Sequence, residues 1–123
     1  MDPADALRRA EELARYGAYI SLNKGCEPGT LVAVKDNIDV AGMVTTAGGR
    51  HLPSEPAAAD APIIRAIKKA GCQVIGKTNM HEYAFGVTND NVHHGVARNP
   101  VDENRIPGGS SGGSGRRGRP GPV

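Results

Sequence analysis

The sequence predicts an α/β protein, and three successive stretches carry that reading. Residues 31–34 (LVAV) form a short β-favouring run, and residues 72–75 (CQVI) form a second one. Between them, residues 61–70 have helical spacing, with Ile63, Ile64 and Ile67 on one face. Strand, helix and strand in that order make a βαβ unit with a parallel strand pair. Composition agrees: 17 Gly and 9 Pro in 123 residues, with 38% hydrophobic and 3% aromatic content, describe a loop-rich α/β segment and not a compact all-helical domain.

Each element has its own signals. Asp2 is placed to cap a first helix over residues 4–16, Pro3 suits the first helical position, and Leu7, Ala10, Leu13 and Ala14 share one face. Gly17 is its stop. Residues 18–22 form a short apolar run, followed by a loop that turns at Pro28-Gly29. Asp36-Asn37 ends the first strand of the βαβ unit, and residues 42–50, with Thr45-Thr46 and Gly48-Gly49, read as a polar loop. Asp60 is expected to cap the middle helix, Lys68-Lys69 to lie on its outer face, and Gly71 to end it. Residues 76–79 are expected to leave the second strand, residues 80–85 to form a short helix, and residues 86–99 to form a polar loop. Residues 107–114 hold four glycines and three serines, which excludes a helix interior or an ordinary strand.

Charge and motif content exclude several function classes. Of 15 Lys and Arg, three (Arg116, Arg117 and Arg119) fall in the last eight residues, leaving 12 against 13 acidic residues elsewhere. Such a near-neutral body offers no basic face for nucleic acid. No apolar run is long enough to span a membrane, and Met-Asp-Pro-Ala-Asp is not a secretory leader. The two cysteines, Cys26 and Cys72, lack a C-x-x-C pattern and read as free thiols of a cytoplasmic protein. His81-Glu82 begins a zinc-protease motif, but Phe85 stands where its second histidine belongs. The glycine segment lacks the Gly-Lys-Ser/Thr of a P-loop, and adjacent His93-His94 make a poor metal pair. No metal and no organic cofactor is expected.

Chemistry concentrates in two stretches. Val32-Ala33-Val34-Lys35-Asp36-Asn37 sets a lysine at the end of an apolar strand, where burial can lower its pKa and make it a base. Gly108-Gly109-Ser110-Ser111-Gly112-Gly113-Ser114 supplies hydroxyls on a chain that permits close backbone approach. A βαβ unit gathers functional groups beyond the carboxyl ends of its strands, where Lys35 and Lys77 would both sit.

Together the two stretches resemble the amidase signature family, which pairs a lysine in a V-K-D-N context with a G-G-S-S-G-G-S segment. The resemblance runs from about Val32 to Ser114 and extends to Thr45-Thr46 and to residues 77–83, which is similar to a segment lining the family's substrate cleft. It implies a partial mixed sheet with flanking helices, the first part of the family's α/β/α fold. It also implies roles: Lys35 as base, Ser110 as a relay serine after a cis peptide bond, and Gly108, Gly109, Ser111, Gly112 and Gly113 as loop support. In that scheme neutral Lys35 takes a proton from Ser110, which takes one from a nucleophilic serine attacking a carboxylic amide. The family's nucleophile lies in a T-G-G-S-like segment roughly two dozen residues past the relay serine, beside the oxyanion hole. Val123 precedes that point, so the nucleophile is expected to be absent and the isolated chain inactive. Residues 1–114 then read as the N-terminal portion of an amidase domain, and residues 115–123 as an aberrant, disordered Gly/Arg/Pro tail produced by a truncation or a lost reading frame. The implied partner is a small-molecule amide, with partner subunits if the parent is the glutaminase A subunit of a tRNA-dependent amidotransferase. The reading from another class is a non-catalytic remnant or partner-binding fragment.

Overall fold

A computed structural model describes residues 2–117. Helix α1 (Pro3–Ala14) opens the chain, with the Asp2 carboxylate accepting the Ala4 N–H at 3.4 Å and Pro3 in the first turn. Its outer face carries Arg8 paired to Asp5 and Glu12, and its inner face buries Ala6 and Ala10.

Strands β1 (Tyr19–Leu22), β2 (Thr30–Lys35) and β3 (Cys72–Thr78) form one sheet in the order β1-β3-β2. β3 pairs parallel with β2 and antiparallel with β1, so the sheet is mixed. The parallel pair is joined through helix α2 (Pro62–Lys69), as a crossover requires. Successive residues of β3 point to opposite faces and feed separate cores. Ile75 packs with Ala6, Ala10, Ala18 and Tyr19 under α1, whereas Val74 packs with Val34, Val40 and Ile64 under α2. Helices therefore cover both faces.

Several elements depart from the sequence expectation. Asp60 does not cap α2: Ala61 holds the N-cap position, while the Asp60 carboxylate accepts the Ala41 N–H at 2.7 Å and a Lys68 Nζ–H at 2.8 Å. Its carboxylate ties a loop to the last turn of the helix instead. Ile63 is 56% exposed, because a helix this short presents one stripe to the sheet and Ile64 with Ile67 occupies it. Gly71 ends the crossover as expected, at φ +82°. β3 runs on to Thr78, so residues 76–78 lie within the strand instead of leaving it. The helix expected over residues 80–85 shrinks to a 3-10 turn, Glu82–Ala84, with Tyr83 at φ 50°. A tertiary bond from the Tyr83 N–H to the Ala47 carbonyl and another from the His51 N–H to the Tyr83 hydroxyl hold that conformation.

The largest departure is at the glycine-serine stretch. Its second half is helical, forming α3 (Gly112–Arg117). Helix propensity is overridden by fit: a Cβ on Gly112 would lie 2.4 Å from the Asn89 side chain, and one on Gly113 would lie 2.4 Å from the Ala18 carbonyl oxygen. Gly115 therefore belongs to this helix, and residues 118–123 of the expected tail lie outside the described residues. Cys26 and Cys72 are free thiols, each partly buried.

Candidate active site

Lys35 is the last residue of β2, half-buried, and its Nζ lies 2.7 Å from Ser110 Oγ, 75 residues away in sequence. Burial pushes the Lys35 pKa below its ordinary value. At 2.7 Å the bond serves either protonation state, since an ammonium donates to the hydroxyl oxygen and a neutral amine accepts from its O–H. That is the geometry of a proton shuttle. The Gly109–Ser110 peptide bond is cis.

Backbone contacts fix the serine stretch over the carboxyl ends of β2 and β3. The His81 N–H donates to the Ser110 carbonyl (2.9 Å), the Gly113 N–H to the Asn79 carbonyl (2.9 Å), and the Gly112 N–H to Asn89 Oδ1 (2.9 Å). Ser114 Oγ and Thr78 Oγ are joined at 3.0 Å. The Ser111 carbonyl accepts the N–H groups of Ser114 and Gly115, which closes the first turn of α3. Gly108 takes φ +85°, and Gly109 passes the Gly86–Val87 backbone so closely that a Cβ would lie 2.8 Å from the Val87 carbonyl carbon. Gly109, Gly112 and Gly113 thus hold the stretch by close backbone approach, Ser111 contributes a carbonyl acceptor, and Gly108 contributes a positive-φ turn.

Beside this pair is a polar core that sequence reading left unassigned. Lys77 Nζ lies 3.1 Å from Asp36 Oδ1, and both side chains are fully buried. That contact is an ion pair without a hydrogen bond to Asp36 Oδ1, and Lys77 donates instead to the Thr45 hydroxyl (3.1 Å) and the Val44 carbonyl (3.3 Å). Asp36 Oδ2 accepts the Thr46 N–H at 3.0 Å and the Thr46 hydroxyl, whose oxygen also lies 3.3 Å from His94 Nε2. The signal for Lys77 was a second apolar run ending in lysine, VIGK after VAVK. Asn89 and Asn91 carried no such signal, since asparagine in a polar loop is ordinarily solvated. Here Asn91 Nδ2 donates to the Gly48 and Met80 carbonyls while its Oδ1 accepts from His93 and His94. His93 Nε2 meets Glu82 Oε1 at 2.8 Å.

A cleft of about 330 Å³ lies elsewhere, between the amino-terminal part of β3 at Cys72–Val74 and the loop at Val40–Met43. It is at the other end of the parallel pair from Lys35.

The profile of the Amidase family matches residues 1–116. The chain belongs to the Amidase family. It is 48% identical to the glutamyl-tRNA(Gln) amidotransferase A subunit of Saccharolobus solfataricus, over 88% of this chain and 27% of that protein. The chloroplastic/mitochondrial A subunit of Oryza sativa subsp. indica is 46% identical, over 90% of this chain and 21% of the relative. Among solved structures, the glutamyl-tRNA(Gln) amidotransferase A subunit from Thermotoga maritima superposes with a TM-score of 0.84 at 36% identity, covering 92% of this chain and 27% of that one. The Kluyveromyces lactis allophanate hydrolase superposes with a TM-score of 0.70 at 27% identity, over 93% of this chain and 23% of that one. The chain thus spans about a quarter of the length of these relatives.

Proposed function

We propose that this chain supplies the general-base half of an amide-hydrolysing site, with Lys35 as base, Ser110 as relay, and the nucleophilic serine contributed by polypeptide outside this chain. The observation that carries the reading is the 2.7 Å contact between a half-buried, easily deprotonated lysine and a serine hydroxyl clamped by its backbone. Neutral Lys35 draws the proton of Ser110, Ser110 draws that of the attacking hydroxyl, and the same path returns a proton to the leaving amine. The substrate is a small carboxylic amide. Likeness to amidotransferase A subunits favours glutamine as the amide donor and partner subunits as co-workers. Two unpaired thiols favour a cytoplasmic setting. Among the described residues, no helix is long and apolar enough to cross a membrane.

The test pairs this chain with the remaining three quarters of an amidotransferase A subunit, expressed as a separate polypeptide. Glutamine hydrolysis should appear only with both pieces, and Lys35→Ala or Ser110→Ala should lower it by about a hundredfold or more. Turnover by the isolated chain that vanishes in Lys35→Ala would place the nucleophile within these residues. No turnover in any combination would favour a non-catalytic, partner-binding fragment.

A further inference from the structure

Asn89 combines three features that each cost a folded chain free energy. Its backbone lies in the left-handed region at φ 55°, its side chain is fully buried, and its Nδ2 has no acceptor among the described residues. An unspent buried donor gives up its hydration without return, and left-handed backbone strains any residue with a Cβ, Asn and Asp least. Strain gathered on one residue points to what that residue does.

Asn89 holds the serine stretch. Its Oδ1 accepts the Gly112 N–H at 2.9 Å in a buried bond, which also fixes the amide's orientation, since an N–H requires the oxygen. The two residues interlock: a Cβ on Gly112 would lie 2.4 Å from Asn89 Cβ and Cγ and 2.6 Å from Oδ1. Gly109 passes the Val87 backbone in the same close way, so Val87 and Asn89 grip the chain on either side of Ser110. Two other bonds that fix this turn, from the His81 N–H to the Ser110 carbonyl and from the Gly113 N–H to the Asn79 carbonyl, run between backbones. At Asn89 the turn depends on a side chain.

We propose that Asn89 is the positioning residue of the relay serine: by holding the Gly112 N–H, its Oδ1 sets the path of residues 110–112 and keeps Ser110 Oγ within reach of Lys35 Nζ. Lys35 ends a strand of the sheet, so the serine turn is the partner that has to be brought to it. Freed from Asn89, that turn pivots at Gly108 and Gly109, where backbone rotation meets least resistance. Asn89 touches no substrate and moves no proton. Its leverage is geometric, because misplacing a reacting group by about 1 Å slows turnover by up to about a hundredfold.

This role rests on Ser110 being the relay, so the first measurement reads the contact and not turnover. The chain is labelled with 13C-serine, and the Ser110 Cβ resonance is identified by its loss in Ser110→Ala. Lys35→Met should displace that resonance in the wild type by removing the 2.7 Å bond. In Asn89→Gly, which keeps the positive φ but has no acceptor, the same substitution should displace it by roughly half as much or less. Asn89→Asp keeps both the acceptor and the tolerance of that φ and should preserve the full displacement. Equal displacement in Asn89→Gly, or a reduced one in Asn89→Asp, overturns the proposal. Should Asn89→Gly fail to fold, Asn89→Ala replaces it, and unfolding of both makes Asn89 a core residue and overturns the positioning role. In the two-piece glutamine assay, Asn89→Gly should lower kcat about tenfold or more with KM unchanged, while Asn89→Asp stays within about threefold of the wild type. Equal losses in the two variants overturn the proposal. No turnover in any pair, with the resonances behaving as expected, overturns the amide-hydrolysis reading and leaves the grip of Asn89 on the serine turn established.

Discussion

Burial that turns a lysine into a base also leaves a mark on stability. Lys35 holds its proton less tightly in the native chain than at its ordinary value of 10.5. Between the lowered native value and 10.5 the unfolded chain binds more protons than the native one, so stability rises as pH rises through that window. Lys35→Met removes the group and with it this alkaline gain. Thermal melts at a series of alkaline pH values should show the wild-type curve climbing relative to that of Lys35→Met, whereas parallel curves would mean that Lys35 titrates as an exposed lysine. At this scale the sequence was informative where a residue stood in a specific setting, as Lys35 did after VAV and Ser110 did between glycine pairs. It was silent on partners. Nothing in the order of residues shows that Asp36 meets Lys77 or that Asn89 Oδ1 receives the Gly112 N–H, because both contacts depend on how β2, β3 and the following loops pack.

Among the elements, α3 is the one whose position depends on the absence of side chains. A Cβ on Gly113 would lie 2.4 Å from Ala18 O, 2.5 Å from Asn79 N and 2.6 Å from Asn79 O, all of them backbone atoms that cannot swing aside. Gly113→Ala is therefore expected to destabilise the chain by about 3 kcal/mol, or to push α3 off the sheet and open the Lys35–Ser110 contact. Gly42→Ala is the comparison, since its Cβ would meet nothing within 4 Å and would suffer only from φ +82°, a loss of about 1 kcal/mol. Urea unfolding of the two variants measures the difference, and equal losses would show that backbone conformation, not close approach, is what Gly113 provides. This is also where sequence reading failed. Glycine density argues for a loop when only local propensity is considered, yet here it lets a helical turn dock against Asn79 and Asn89. The crossover α2 and its flanking strands were legible because hydrophobic spacing and Gly71 agreed, while Asp60 was misread because its carboxylate had two tertiary partners competing with the cap.

For the molecule as a whole, the distribution of apolar surface is informative. α1 and α2 cover the two faces of the sheet, but β1 and β2 form its two edges. Between the 3-10 turn and the serine stretch, Phe85 is 91% exposed, Val92 82% and Val101 80%, far more than isolated surface residues need to be. Apolar side chains left in water beside open strand edges favour association with whatever polypeptide can cover them. In relatives about four times as long, further chain is at hand to do so; for this chain alone, another copy is the most concentrated candidate. Phe85→Ser with Val101→Ser should therefore reduce self-association while leaving unfolding stability within about 0.5 kcal/mol, since neither side chain is packed in the core. Size-exclusion elution over a concentration series measures the first quantity and urea unfolding the second. A concentration-dependent shift in the wild type that the double variant abolishes would make this segment the adhesive surface. A shift that persists in the double variant would move that role to the edges of β1 and β2, where a proline substituted at an outward-facing N–H becomes the next variant to make.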